Sequence, residues 1–402
     1  MKKSANKLSI LLLVLFISFC FSSCKKEIED PEEYTIGALL PLTGDSSSDS
    51  EEYIEALEIG INQINEQFKQ DDINKIFTLL IEDTETNPEI AKIKLVSMLG
   101  QGIKAFIGPI TSAEIMEVKE TINDSESLII SPSSTLVDLA VENDNIFRVV
   151  ADDSKAADAI VDYMWDNGIR NLALFYRYDA WGIGLTELIK QKFTEKGGNI
   201  LGSADYETLR ESLIQEGLDS ISNTLSSNYN NYDLSSIAVH LSCFDEGHFI
   251  FELAANDPEL RKVRWYGTDG FVENQYVLEV PEAIDFAIDV QYCAPIYGVE
   301  NSILYNDIEA MIEDSIGYKP KSYSILAYDA IKVAALTLSK LPEGDDIDMF
   351  RNKLVEEFEN YNGASGTIDL NSAGDRNNAN YFVWQIQNKE NPQWVKIGTI
   401  NQ

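Results

Sequence analysis

The sequence predicts an α/β protein built from two doubly wound parallel-sheet lobes. Three observations carry that prediction. From Tyr34 onward, short apolar runs of strand length alternate with segments whose apolar residues recur at helical spacing. The pattern restarts after about Val150, as a second unit would. The 402 residues, 44% of them hydrophobic, supply enough apolar material for two or three packed domains.

The elements follow in order. Tyr34–Leu40 is a first strand, Pro41–Ser50 a polar loop, and Glu51–Phe68 a helix with Ile54, Leu57, Ile61 and Ile64 on one face. Phe77–Ile81 is a second strand. Asn87 then caps a helix whose first position is Pro88, and Gly100 and Gly102 end it. Lys104–Gly108 and Glu114–Ile122 form the next strand and helix, Leu128–Ser131 a fourth strand, and Leu136–Val141 a short helix. Parallel strands with helical crossovers on both faces account for this alternation. In the second unit, Ala156–Trp165 reads as helix, Asn171–Tyr176 as strand, and Leu185–Glu195 as helix stopped by Gly197 and Gly198. Ile237–Leu241, Val263–Tyr266 and Phe286–Tyr292 read as further strands, and the Ser/Asn/Tyr-rich stretch Ser222–Ser236 as a surface excursion.

Composition narrows the function. With 31 basic and 67 acidic residues the formal net charge is −36, which argues against nucleic acid as a partner because phosphates must be met by Lys and Arg. Two histidines, His240 and His248, leave little for a His-based metal site or a Ser-His hydrolase. There is no Gly-rich phosphate fingerprint, no Gly-x-Ser-x-Gly elbow and no paired His ligands, so no catalytic residue, metal or cofactor is expected.

The N-terminus reads as a targeting segment. Lys2, Lys3 and Lys7 precede the uncharged run Leu8–Phe21, which fits a signal-peptide core better than a membrane span. Phe21-Ser22-Ser23-Cys24 resembles a bacterial lipobox, with Cys24 the lipidated residue; a plain secretory signal is the alternative. Residues 1–23 are then the signal peptide and 24–33 an acidic, Pro-broken tether, with membrane attachment through the lipid on Cys24. That places the mature chain in the cell envelope, periplasmic or outer-membrane-associated. Cys243 and Cys293 remain, in apolar contexts that suit buried thiols, though the compartment permits a disulfide.

In open parallel sheets ligands sit beyond the C-terminal strand ends. In the first lobe, Gly108–Ser112 and Ser131–Thr135 both follow strands and are rich in hydroxyls, and Thr111 with Glu114 has capping-box spacing. Hydroxyls beside free helix-start amides would receive a carboxylate, although each such residue is equally explained as a cap or turn former. In the second lobe, Trp181, Phe244 and Asp269 occupy equivalent loops. The aromatics would cover apolar ligand surface or pack in the core, and Asp269 would accept from an ammonium or shape the turn before Gly270. Asp245 and Glu246 leave a cationic or polar ligand open, with solvated surface acids the preferred reading.

Taken together, Ile36–Gly44, Asp83 with Asn87-Pro88, Phe106–Pro109, Ile130–Pro132 with Thr135, and Phe147-Arg148 resemble the type I periplasmic binding proteins. Asp179–Gly182, Gly267–Gly270 and Gly366–Leu370 with Gly374-Asp375 extend the resemblance along nearly the whole mature chain, closest to the leucine/isoleucine/valine-binding and receptor branch. It implies two Rossmann-like lobes joined by a three-stranded hinge, with crossings near Val150, Ala294 and Asn362. The N-terminal lobe would be 34–150 plus 295–362 and the C-terminal lobe 151–294 plus 363–402. It further implies a small amino-acid-like ligand captured between the lobes by hinge closure, for delivery to an ABC permease. The carboxylate would be held by Ser112, Ser133 and Thr135, the ammonium by Asp269, and the side chain by Trp181 and Phe244. Trp181 stands where the family commonly has Tyr, and Phe244 where branched-chain binders often do. A ligand-sensing or regulatory lipoprotein of the same fold, outside any transporter, is the alternative.

Overall fold

The computed structural model describes residues 30–208, 210–299, 302–342, 344 and 346–401. The expected signal peptide and Cys24 lie outside them. None of the described helices is long and apolar enough to cross a membrane.

The first lobe begins β1 (Glu32–Leu40), α1 (Ser50–Gln70), β2 (Lys75–Asp83), α2 (Pro88–Gly100), β3 (Ala105–Ile107), α3 (Ser112–Asn123), β4 (Leu128–Ser131) and β5 (Ile146–Arg148). Its sheet runs β2-β1-β3-β4-β5 and is parallel throughout. The inner strands β3 and β4 are buried on both faces: Ala105–Ile107 and Leu128–Ser131 carry no exposed residue. Glu32 and Glu33 pair with Lys75 and Ile76, so β1 takes in two residues expected in the tether.

The second lobe comprises α4 (Asp153–Asp166), β6 (Asn171–Arg177), α5 (Ala180–Glu195), β7 (Asn199–Tyr206), α6 (Glu211–Asn228), β8 (Ile237–Ser242), α7 (Gly247–Ala254), β9 (Arg264–Tyr266), α8 (Pro281–Asp289) and β10 (Cys293–Tyr297). The chain then returns through α9 (Ile303–Ile316), α10 (Ser322–Lys340) and α11 (Ile347–Asn360) to the short pair β11 (Asn362–Gly363) and β12 (Gly366–Thr367), and ends in β13 (Asn380–Gln387) and β14 (Gln393–Asn401). The second sheet runs β14-β13-β10-β9-β8-β6-β7. It is parallel from β10 to β7, while β13 and β14 add an antiparallel edge. Helix α10 packs on α1 and is buried along most of its length, which makes it the spine of the first lobe.

Three local expectations are corrected. Phe286–Tyr292 is not a strand: Pro281 opens α8, Ala283, Ile284, Phe286 and Ala287 form its buried face, and the strand starts at Cys293. Ser222–Ser236 is not wholly a loop, because Ile214, Leu218, Ile221 and Leu225 give α6 a buried stripe through Asn228, with its Ser and Asn residues largely outward. The short helix at Leu136–Val141 contracts to one 3₁₀ turn, Val137–Leu139.

Between the lobes the chain crosses first just after β5. The second crossing follows Tyr297, because β10 stays paired to β13 through Tyr297↔Tyr381, beyond the expected Ala294. The third comes after Arg376, later than Asn362: Asp329 of α10 accepts from the amides of Ala364 and Ser365 (2.8 and 2.7 Å), and Gly374–Arg376 still pair with Arg148 at the edge of β5. Arg376 gathers the crossings. Its guanidinium donates to the carbonyls of Val149, Ser365 and Thr367 and lies 5.2 Å from the Tyr297 ring centroid.

Candidate functional site

The first wall is made where β3 and β4 end. Gly108 has φ +80°, and a side chain there would lie 2.4 Å from the Leu39 carbonyl oxygen, so only glycine lets the loop turn this tightly into α3. Thr111 caps α3 in a capping box: its hydroxyl donates to the Glu114 carboxylate (2.7 Å), which also accepts from the Thr111 amide (3.1 Å). The Ser112 hydroxyl accepts from the amides of Thr135 and Leu136, both at 3.2 Å, and stitches the two loops together. Ser133 donates to the Ile110 carbonyl (2.8 Å), and Ser131 to that of Pro109 (2.9 Å). Hydroxyls thus gather around the positive end of a twelve-residue helix, an arrangement suited to an anion.

The second wall comes from β6, β8 and β9. Asp179 caps α5 through the Gly182 amide (2.8 Å), and a side chain at Gly182 would strike the Arg177 carbonyl oxygen at 2.3 Å. This close approach fixes Trp181 in the first turn of α5, where the sequence had suggested a loop. Trp181 stacks on Phe244, with ring centroids 4.7 Å apart and planes at 20°. Asp269 follows β9 and accepts a hydrogen bond from the Tyr323 hydroxyl of α10. Burial raises the Asp269 pKa, and the hydrogen bonds from Tyr323 and nearby backbone amides oppose that rise.

All six residues singled out in the sequence, Ser112, Ser133, Thr135, Trp181, Phe244 and Asp269, line one interlobe cavity. Its empty volume, counting its open mouth, is about 440 Å³, a scale that suits a small solute. Ser46, Asp49, Tyr53, Thr111 and Tyr323 complete the polar lining. Thr111 was visible as a cap. Tyr53 and Tyr323 arrive on helices hundreds of residues apart in sequence, and nothing local marks them.

Charged groups ring the cavity, within each lobe and across the cleft. Asp49 pairs with Lys321 (2.7 Å), whose amide donates to Glu52 (2.8 Å). Asp245 accepts from the Ser48 amide across the cleft (2.9 Å) and from Asn274 (2.6 Å). Arg177 is bound by Asp45, Asp179 and Glu246. Asp245 and Glu246 are therefore buried and partnered, which corrects their reading as solvated surface acids. Burial pushes the Asp245 carboxyl up to about 6 and that of Glu246 up to about 7; Arg177 opposes the second shift.

Residues 33–215 match the family model for periplasmic binding proteins. A Leu/Ile/Val-binding protein homolog of Brucella melitensis is 25% identical over 170 residues, 41% of this chain and 45% of that one. Over this stretch the chain is similar to the periplasmic binding proteins. An uncharacterized protein of Methanocaldococcus jannaschii is 28% identical over 374 residues, spanning 87% of this chain and 86% of its own. The fold is that of a leucine-binding protein of Thermotoga maritima, with TM-score 0.73 and 18% identity over 92% of this chain and 99% of that one. The cavity lies where the two lobes of this fold face each other.

Proposed function

We propose that the chain is a solute-binding protein that captures a free amino acid or close derivative in the interlobe cavity. The carrying observation is the polarity of the cavity, with the α3 N-terminus and its hydroxyls at one wall and Asp269 at the other. A carboxylate would sit against the first-turn amides of α3 with Ser112, Ser133 and Thr135, and an ammonium would meet Asp269. No basic side chain lines the cavity among the described residues, so the anion contact rests on amides and hydroxyls. The side chain would lie toward Trp181 and Phe244.

Capture involves no chemistry. Contacts from both lobes favour the closed arrangement by as much as the ligand prefers it over the open one. We further propose that Cys24 carries a lipid anchor holding the protein in the cell envelope, and that an ABC permease receives the ligand. The match of residues 33–215 to the periplasmic binding protein model and the lipobox-like Phe21–Cys24 support this. Isothermal titration against the twenty amino acids and their amides tests the ligand class. Binding of a zwitterion, with loss of affinity in its amide, is the expected result, and no binding across the panel would overturn the reading.

A further inference from the structure

Arg177 was not marked by any motif, yet it joins three parts of the cleft. It ends β6 with its side chain only 6% exposed. Nε binds Asp179 at 2.5 Å, and Nη1 reaches both Glu246 oxygens at 3.0 and 3.2 Å. Nη2 crosses to the first lobe and binds Asp45 at 3.1 Å. The same guanidinium lies 3.8 Å from the Phe244 ring centroid. Trp181 is stacked on Phe244 too, and two groups at such distances cannot share one face of a six-membered ring. Phe244 is therefore clamped between an indole and a guanidinium, and its edge is what remains for a ligand.

A buried arginine paired with acids of its own lobe would need no further role. The contact with Asp45 adds one. Asp45 sits in the loop after β1, and its carbonyl also accepts from the Asp245 amide (3.1 Å), so this loop meets the second lobe right beside the aromatic pair. Any hinge opening must part Asp45 from Arg177, leaving a donor of the fork to water and freeing the guanidinium plane to tilt away from Phe244.

We propose that Arg177 is a positioning residue that couples lobe closure to recognition of the ligand's side chain. One rigid fork captures Asp45 as the cleft shuts and presses Phe244 into register with Trp181. Lysine would keep the charge but has no plane to stack and no fork to divide among three carboxylates. The proposal rests on the amino-acid reading above, and its test separates the two.

Titrations use L-leucine, L-phenylalanine and glycine as probes, with spin labels at Glu66→Cys and Glu216→Cys reporting the interlobe distance. Asp45→Asn is expected to weaken all binding probes by a common factor of about ten and to raise the population of long distances without ligand. Asp45→Glu restores both. Arg177→Lys is expected to change the ratio of leucine to glycine affinity as well as the distances. Phe244→Leu, which spares the ion pairs, changes the ratio alone. Unaltered distances and affinity in Asp45→Asn overturn the latch. A uniform loss in Arg177→Lys, with no change in ratio, overturns the coupling. Failure of the unmodified protein to bind any amino acid overturns the ligand class, while the ligand-free distances still decide whether the latch exists.

Discussion

The Tyr323 hydroxyl of α10 donates a hydrogen bond to the Asp269 carboxylate, so an acid of the second lobe is oriented by a helix of the first. Asp269 is expected to carry the ammonium contact, and Asp269→Asn should weaken amino-acid binding on the order of 100-fold. Burial already raises its pKa, and the Tyr323 bond counters that effect. Binding an ammonium needs the ionised carboxylate, so affinity should fall as pH drops through the raised pKa. Tyr323→Phe removes the counteracting bond, and the fall should then begin at higher pH. Titration calorimetry from pH 8 to pH 4.5 measures both, and coincident profiles would contradict the assignment.

Asp153, the first residue of α4, is fully buried, and burial pushes its carboxyl up to about 8, with the Asp269 charge adding to the rise. Near pH 3.8 and below, the folded and unfolded chains both hold this proton, and Asp153 carries no ionisation penalty. Between that value and about 8 the unfolded chain releases a proton the folded chain keeps, so stability declines as pH rises and levels off above. Asp153→Asn should therefore raise Tm by about 2–4 °C or more at pH 8 and by little at pH 4. Thermal melts at the two pH values check this; an equal shift at both would remove the electrostatic explanation.

Arg148 is fully buried and forms a two-pronged ion pair with Asp375 (2.5 and 2.7 Å), while Nη1 donates to the carbonyls of Ser134 and Leu136. Asp375→Asn leaves this guanidinium buried without its counter-charge. It should cost about 3–5 kcal/mol in urea unfolding. Because Arg148 also holds the Ser131–Thr135 loop, amino-acid affinity should fall with it. The double variant Arg148→Met with Asp375→Leu should recover much of the stability, since it removes both charges together.

Cys243 and Cys293 are both free and buried, and burial raises each thiol, that of Cys293 to about 12. Thiolate is the reacting species, so iodoacetamide at pH 8 should label neither in the folded protein and both after denaturation. Mass spectrometry counts the adducts, and rapid labelling of either in the native state would show that its pocket opens.

The lobes were legible because hydrophobic periodicity is local: Ile54, Leu57, Ile61 and Ile64 announce α1, and Asn87-Pro88 announces the start of α2, without reference to any partner. That the six residues proposed for the site line one cavity was legible for a related reason, since strand-end loops rich in Ser, Thr or aromatics sit where this topology collects them. What stayed hidden depends on distant partners. Arg177 at the end of an apolar strand gives no sign that Asp45, 132 residues earlier, will meet it. Tyr323 reads only as another apolar position of α10. Phe286–Tyr292 misled because a short apolar run satisfies strand and helix alike, and Pro281 was the deciding signal. Asp245 and Glu246 misled because acids are usually solvated, and only the folded second lobe, with Ser48 across the cleft, supplies their partners.

Arg376 stands at the third connection itself, binds Val149 beside the first as well as Ser365 and Thr367, and faces the Tyr297 ring at the second. Three linkers knotted at a single cation cannot flex independently. If they part and close on a ligand as proposed, the halves swing like a book on its spine, and each turn brings the same page edges back into alignment.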